Sequence, residues 1–397
     1  MPAARPARRL AILAAALVAA GPASAACRAG ADGFGPWLES YKAEAVAAGV
    51  PASVVASALA GVSYDPAVIK KDRGQGVFSQ TFLEFSTRMV EGYRVKAGLQ
   101  QIAKNRALFD RIEATYGVPA EVLVGVWGLE SDFGANTGSM ATLDALATLA
   151  FDCRRPDRFR PELTAALEIV AAGDLTPAEM RGAWAGELGQ TQFLPSNYVK
   201  YAVDFDGDGR RDLIRSKADV LASTANYLKS LGWQQGAPWL VEVRVPASMN
   251  WGEAHLAAKK SAAAWQAEGV SPAHGAIPAG EASLYLPMGR NGPAFLAYHN
   301  FDVYLGWNES LVYSTTAAYY ATRLAGAPRV GQGNGPVDVL GAADIKAIQQ
   351  ALANRGLDPG PIDGKLGSRT REAVRAVQIQ LGLPADGWPD HALLRAM

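Results

Sequence analysis

The sequence predicts a mainly helical protein of the α+β class. Helical patterning runs throughout Gly33 to Leu129, and short, partly alternating apolar runs broken by Pro and Gly appear after Trp233. A stretch rich in Gly and Pro, Ala327–Asp338, then sets off a compact unit whose Ile345, Ile348, Leu352, Val374 and Val377 fall at helical spacings. At 397 residues the chain has room for two or three domains and an ample core. Its 38 Lys and Arg balance 38 Asp and Glu, so no basic stripe marks a nucleic-acid partner.

Residues 1–25, "MPAARPARRLAILAAALVAAGPASA", read as an export signal. Arg5, Arg8 and Arg9 form its positive start, Leu10–Ala20 its apolar middle and Ala23-Ser24-Ala25 a small-residue cleavage site. The apolar run is short for a bilayer span, and nothing later resembles a membrane helix. The mature chain is expected to begin near Ala26 or Cys27, outside the cytoplasm. Cys27 and Cys153 are the two cysteines, and an oxidising compartment favours one bridge between them. Acylation of Cys27 in "SAAC" is the rival, although Ser24 stands where such signals usually carry Leu.

In the helical region "GVPASVVASAL" and "GVPAEVLVGVW" use the same device, a turn and a proline followed by an apolar run. Helices continue through "LDALATLAF" and "RPELTAALEIVAAG". Strands are expected in "WLVEVRVP", "ASLYLPM" and "AFLAYHNF", interrupted by a helix over "EAHLAAKKSAAAWQAEG".

The helix opened by Pro119 is apolar all round and ends in "GLESDFG", so Glu130 closes a buried segment. Burial and the negative end of the helix dipole both disfavour a carboxylate there, and a carboxyl that keeps its proton near neutrality is what a general acid needs. The residues alone leave a second reading open, a glutamate that emerges into solvent as its helix ends. In "GAWAGELGQTQFLPSNY" small residues allow close backbone approach. Gln190, Gln192, Asn197 and Tyr198 can hydrogen-bond sugar substituents, and Trp184 and Phe193 offer flat faces of the kind that pack on sugar rings. In "DFDGDGRRDL", Asp204, Asp206 and Asp208 at alternate positions, with the Arg210 carbonyl and Asp212 following, copy the first half of an EF-hand loop for Ca²⁺. Arg215 holds the twelfth position, where a glutamate is usual, and a solvated acidic turn is the alternative.

"ESDFG", "AFDCRRP", "WAGELGQTQFLPSNY", "VDFDGDGRRDL" and "ASTANYLKSLGW", in that order, resemble the lytic murein transglycosylase B family from about Gly33 to Leu324. The resemblance implies a lysozyme-like helical catalytic domain, residues 27–326, with a small β-containing subdomain, and cleavage of peptidoglycan between N-acetylmuramic acid and N-acetylglucosamine. Carried over residue by residue, Glu130 matches the single catalytic acid and Gln192 a glutamine lining the cleft. Arg154 with Arg155 match a basic pair near substrate, and Tyr227 and Tyr313 match tyrosines of the cleft wall. Read from the residues alone, the tyrosines also fit core packing and the arginines a solvated surface pair. Ala183 departs from the serine that holds the N-acetyl group in some relatives. The resemblance also suggests a longer metal loop closed by Asp219, with the ion structural and no catalytic cofactor.

After the linker, 327–338, residues 339–397 resemble a small three-helix peptidoglycan-binding domain, with "PGPIDGKLGSRT" and "GLPADG" as its turns. The expected partners are peptidoglycan glycan strands and cell-wall enzyme complexes, with the chain itself a monomer in the periplasm. The family chemistry makes Glu130 an acid and then a base and yields a 1,6-anhydro ring. A muramidase hydrolysing the same bond and a non-catalytic wall-binding scaffold are the competing readings.

Overall fold

The computed structural model describes residues 30–74 and 80–397. The expected export signal and Cys27, whether bridged or acylated, lie outside the described residues.

Pro119 stands in extended conformation as the N-cap of the helix Ala120–Ser131. Apolar side chains circle that helix instead of forming a stripe, so it must be wrapped on every side. Val122, Leu123, Val124 and Val126 are completely buried and Trp127 almost so. The helices Leu311–Leu324 and Tyr93–Lys104 lie against it, and Lys217–Ser230 contacts it too. A second helical layer is built by Thr142–Phe151 packed on Pro156–Ala172, with Pro195–Tyr201 beyond.

Two small antiparallel elements position the site. Met140–Ala141 (β1) pairs with Arg181–Gly182 (β2), which brings the "GAWAGELGQ" segment back beside the end of the central helix. The larger sheet contains Leu240–Arg244 (β3), Lys259–Ser261 (β4), Ser271–Pro272 (β5), Glu281–Tyr285 (β6) and Ala294–Tyr298 (β7), in the order β4-β6-β7-β3-β5. Strand β7 is buried at every position, and its period-two alternation divides two cores. Phe295 and Ala297 join the main helical core, whereas Ala294, Leu296 and Tyr298 join a smaller one around Trp265 and Leu284. The helix expected over "EAHLAAKKSAAAWQAEG" is corrected: only Ala262–Ala267 is α-helical. Lys259–Ser261 pairs with β6 instead, and the Ser261 hydroxyl caps the short helix by accepting from the Ala264 amide at 3.1 Å.

Among the described residues, the C-terminal unit holds Ala342–Asn354, Ser368–Gln380 and His391–Ala396 around buried Ile345, Ile348, Leu352, Val374 and Val377. The stretch leading to it is pinned, with the Gly331 amide donating to Glu242 Oε1 at 2.8 Å and Val330 to the Tyr319 hydroxyl at 3.3 Å. The unit itself is docked. Buried Arg371 donates to the Leu286 carbonyl at 2.6 Å and the Pro287 carbonyl at 3.2 Å, and Arg290 pairs with buried Asp386 at 3.0 Å.

Candidate active site

The central helix stops at Glu130-Ser131 because the next residues turn left-handed: Asp132 at φ 55°, Phe133 at 61° and Gly134 at 88°. The glycine is required there, since a side chain on it would come 2.5 Å from Gln190 Oε1. The turn is fixed by Ser131, whose hydroxyl donates to the Gln190 carbonyl at 2.5 Å and accepts from the Gly134 amide at 2.9 Å. Gln190 completes the lock. Its side chain accepts from Trp127 Nε1 at 2.9 Å and donates to the Ile214 carbonyl at 2.8 Å. Asp132, the nearest other carboxylate in sequence, points away and is taken by the Tyr93 hydroxyl at 2.5 Å and Arg94 Nε at 3.3 Å.

Glu130 itself meets two donors on one oxygen. The Tyr313 hydroxyl donates to Oε1 at 2.5 Å and Trp307 Nε1 donates to the same atom at 3.0 Å. Both come from the corner between the helices His299–Trp307 and Leu311–Leu324, where the Ser310 hydroxyl accepts from the Tyr313 amide and the Ser314 hydroxyl donates to the Asn308 carbonyl at 2.6 Å. Burial raises the Glu130 carboxyl above its usual range. The hydrogen bonds from Tyr313 and Trp307 pull it partly back, and the charge of Glu187 raises it again. Because Oε1 already accepts two hydrogen bonds, Oε2 is the oxygen left to carry a proton.

An aromatic wall extends from this carboxyl. Trp307 lies 5.3 Å from Tyr227 between ring centres, and Tyr227 stacks on Tyr201 at 4.4 Å. Tyr227 is partly exposed, and its hydroxyl accepts from Asn197 Nδ2 at 3.3 Å. Phe193 is corrected as a sugar platform. Only 2% exposed, it stands edge-on behind Tyr227 and Trp307 and supports them. Tyr198 is likewise internal, fully buried with its hydroxyl on the Arg211 carbonyl, and the partly exposed Gln190 spends its side chain on Trp127 and the Ile214 carbonyl. Gln192, left-handed at φ 53°, is partly exposed and gives its amide to the Gly189 carbonyl at 2.8 Å and the Thr137 carbonyl at 3.1 Å. Arg154 and Arg155 converge on buried Asp72, Arg154 at 2.6 Å, so one carboxylate sets the direction of both guanidinium groups.

The acidic loop forms a cage of different membership from the one expected. Carboxylate oxygens of Asp204, Asp206 and Asp219 lie within 4.8 Å of one another, and among the described residues none of the three makes an ion pair. Asp219 is fully buried and accepts from the amides of Phe205 at 2.7 Å and Asp212 at 2.8 Å. Like charges this close fit a divalent cation with oxygen ligands. Asp212 stands outside the group because it caps the Ile214 and Arg215 amides and pairs with Arg215 Nε at 2.7 Å. Asp208 also lies outside it, and its side chain accepts from the Arg210 amide at 2.9 Å.

Comparison with known proteins finds matches for both the catalytic and the C-terminal units. Residues 33–322 match the transglycosylase SLT domain family, and residues 341–397 match a peptidoglycan binding domain. The chain is 40% identical to SltB3 of Pseudomonas aeruginosa, solved in complex with NAG-anhNAM-pentapeptide, over 91% of this chain and 98% of that one, with a TM-score of 0.85. It is 36% identical over 156 residues to the membrane-bound lytic murein transglycosylase B of Escherichia coli strain K12. That match spans 39% of this chain and 43% of the relative, less than half of either. The chain belongs to the lytic murein transglycosylase B family. Slt35 of Escherichia coli, a lytic transglycosylase solved in complex with calcium, is 27% identical over 73% of this chain and 93% of its own, with a TM-score of 0.63.

Within this transglycosylase the fold brings Glu130, Tyr313 and Tyr227 into one neighbourhood and sets the Asp72-bound arginines on a separate ion-pair cluster. Two residues of the Glu130 site escape a reading of the sequence. Trp307 is one aromatic among many until its corner folds. Glu187 carried a usable signal, since it is the lone charge in the run "GAWAGELGQ".

Proposed function

We propose that this chain cleaves the β-1,4 bond between N-acetylmuramic acid and N-acetylglucosamine in peptidoglycan and leaves 1,6-anhydro-muramoyl ends. The observation that carries the reading is the Glu130 carboxyl, half-buried at the end of the central helix with both fixed donors on Oε1. Its proton on Oε2 passes to the glycosidic oxygen as the C1–O bond breaks, while the muramoyl N-acetyl oxygen closes on C1 to form an oxazolinium ring. Glu130, now ionised, takes the proton of the same sugar's C6 hydroxyl. O6 then attacks C1, the oxazolinium ring opens, and no water is consumed. Tyr313 and Trp307 keep Oε1 in place through both halves, and they stabilise the ionised form midway. The anhydro-sugar ligand solved with the Pseudomonas relative supports this outcome.

Arg154 and Arg155, Gln192 and Tyr227 are assigned to substrate, Tyr227 by its exposed face. Asp204, Asp206 and Asp219 would hold a structural Ca²⁺ that supplies only loop rigidity, in keeping with the calcium-bound Escherichia relative. The C-terminal unit is assigned to wall binding. Docked as it is, it presents glycan at a fixed place relative to the cleft. Export to the periplasm follows from the substrate's location, and no helix among the described residues is long and apolar enough to cross a membrane.

Mass spectrometry of digested sacculi tests the reading. Anhydro-ended fragments are expected, and Glu130→Gln should slow their release by roughly 10²–10⁴-fold. Reducing ends one water heavier would make the protein a muramidase, and undiminished wall clearing by Glu130→Gln would remove the catalytic assignment.

A further inference from the structure

Strand β3 breaks its pattern on the face that turns toward the main core. Leu240 is buried there, and the next residue on that face is Glu242, a carboxylate directly across from buried Phe295 on β7. A cavity makes room for it. About 270 Å³ of mostly apolar space lies between β3 and the end of the helix Leu311–Leu324, just under the roughly 300–1,000 Å³ of pockets for drug-sized ligands. Trp239, Phe295 and Tyr319 supply aromatic walls, and Glu242 and His274 supply the polar groups. The walls are fixed in advance. Trp239 Nε1 donates to the Ala318 carbonyl at 3.1 Å, and the Tyr319 hydroxyl donates to Glu91 Oε1 at 2.6 Å. Glu242 spends Oε1 on the Gly331 amide at 2.8 Å. Its Oε2 lies 3.8 Å from His274 Nε2, too far for a hydrogen bond, and the side chain keeps 18% of its surface open to solvent. Among the described residues no Lys or Arg pairs with Glu242. Arg323 and Arg329, beside the lining residues in sequence, pair with Glu91 instead, at 3.1 Å and 2.7 Å.

We infer that this cavity binds a small organic ammonium ion, an amine on a short aromatic or aliphatic body. The ammonium donates to Glu242 Oε2 and the body lies between the aromatic walls. Aromatic faces attract a cation through their quadrupole, and a partly buried carboxylate adds a charge-assisted hydrogen bond. An anion would meet Glu242 at close range, and a purely apolar molecule would cover Oε2 without giving it a donor. Glu130, Trp307, Tyr313 and Tyr227 do not line the cavity, so the site is separate from the cleft and does not rest on the proposed function. Ala327 and Pro328, at the start of the stretch leading to the C-terminal unit, do line it. An occupant therefore bridges β3, the helix Leu311–Leu324 and that stretch.

Calorimetric titration of the whole chain with benzylammonium, and with benzyl alcohol as its uncharged counterpart, tests the inference. The parent should prefer the ammonium by roughly 10- to 100-fold, the size of a charge-assisted hydrogen bond. Glu242→Gln keeps an acceptor for the Gly331 amide and removes the charge. It should lose that preference and bind benzyl alcohol as the parent does. Ala325→Leu, at an exposed lining position, should weaken both probes by filling the space. If Glu242→Gln unsettles the Gly331 contact and fails to fold, the parent's preference and its weakening in Ala325→Leu carry the test. Equal affinity of the parent and Glu242→Gln for benzylammonium overturns the inference. So does a parent that binds neither probe, or that does not tell the ammonium from the alcohol.

Discussion

At the scale of single residues, the Glu130 carboxyl holds its proton more tightly in the folded protein than in the unfolded chain, because burial outweighs its two hydrogen bonds. Stability linked to that proton is complete at acid pH, below the unfolded carboxyl's range, and is lost as pH rises through the higher folded value. Glu130→Gln should therefore unfold like the parent near about pH 4 and be the more stable protein near about pH 8. Urea titrations at both pH values measure it. Tyr313→Phe removes a donor that lowers the Glu130 carboxyl. The alkaline limb of kcat should move upward, while the peak rate falls roughly 10-fold, the size of a lost hydrogen bond to a charged group. A pH–rate profile shows both effects, and an unmoved limb would mean that the phenol does not tune the acid.

At the scale of elements, the acidic loop and the end of the central helix are tied through Gln190, which bonds both Trp127 and the Ile214 carbonyl. Filling the cage of Asp204, Asp206 and Asp219 should stabilise everything fixed to that loop. Calcium at about a hundred times its dissociation constant is expected to raise the melting temperature by several degrees, from about 2.7 kcal/mol of binding linkage. Asp219→Asn should abolish that shift, as read by calorimetry with calcium and with chelator. The cage also shows what an element-level reading of the sequence captures. Three aspartates at alternate positions announce a cation loop, yet which carboxylates face inward depends on competition. Asp212 is drawn off by Arg215 and two backbone amides, and Asp219 arrives from the next helix. In the same way "AAKKSAAAW" has helical composition, but Lys259–Ser261 is claimed by strand pairing with β6. Tertiary hydrogen bonding overrides local propensity in both places.

At the scale of the whole molecule, the C-terminal unit is fixed to the catalytic body through Arg371, whose guanidinium satisfies two carbonyls of the segment after β6. Arg371→Ala strands those acceptors at about 1–3 kcal/mol each. The unit should come loose, with a larger radius of gyration by small-angle X-ray scattering. Turnover of soluble muropeptide fragments is expected to persist, whereas clearance of intact sacculi falls. Equal rates on both substrates, with the unit released, would show that docking plays no part in wall attack.

By itself the sequence determined the mainly helical class, the buried helix ending in Glu130, the acidic loop and the separate C-terminal unit. Each is written in local pattern, as apolar periodicity, turn residues and charge spacing act over a few positions. Tertiary structure alone decided which groups surround the acid. Trp307 and Tyr313 reach Glu130 across sequence separations of 177 and 183 residues, and Glu187 arrives through a glycine turn paired to β1. It also decided that Phe193 supports the wall and does not line it. Contacts of that kind arise from packing two distant segments into the same volume, and no local pattern encodes them.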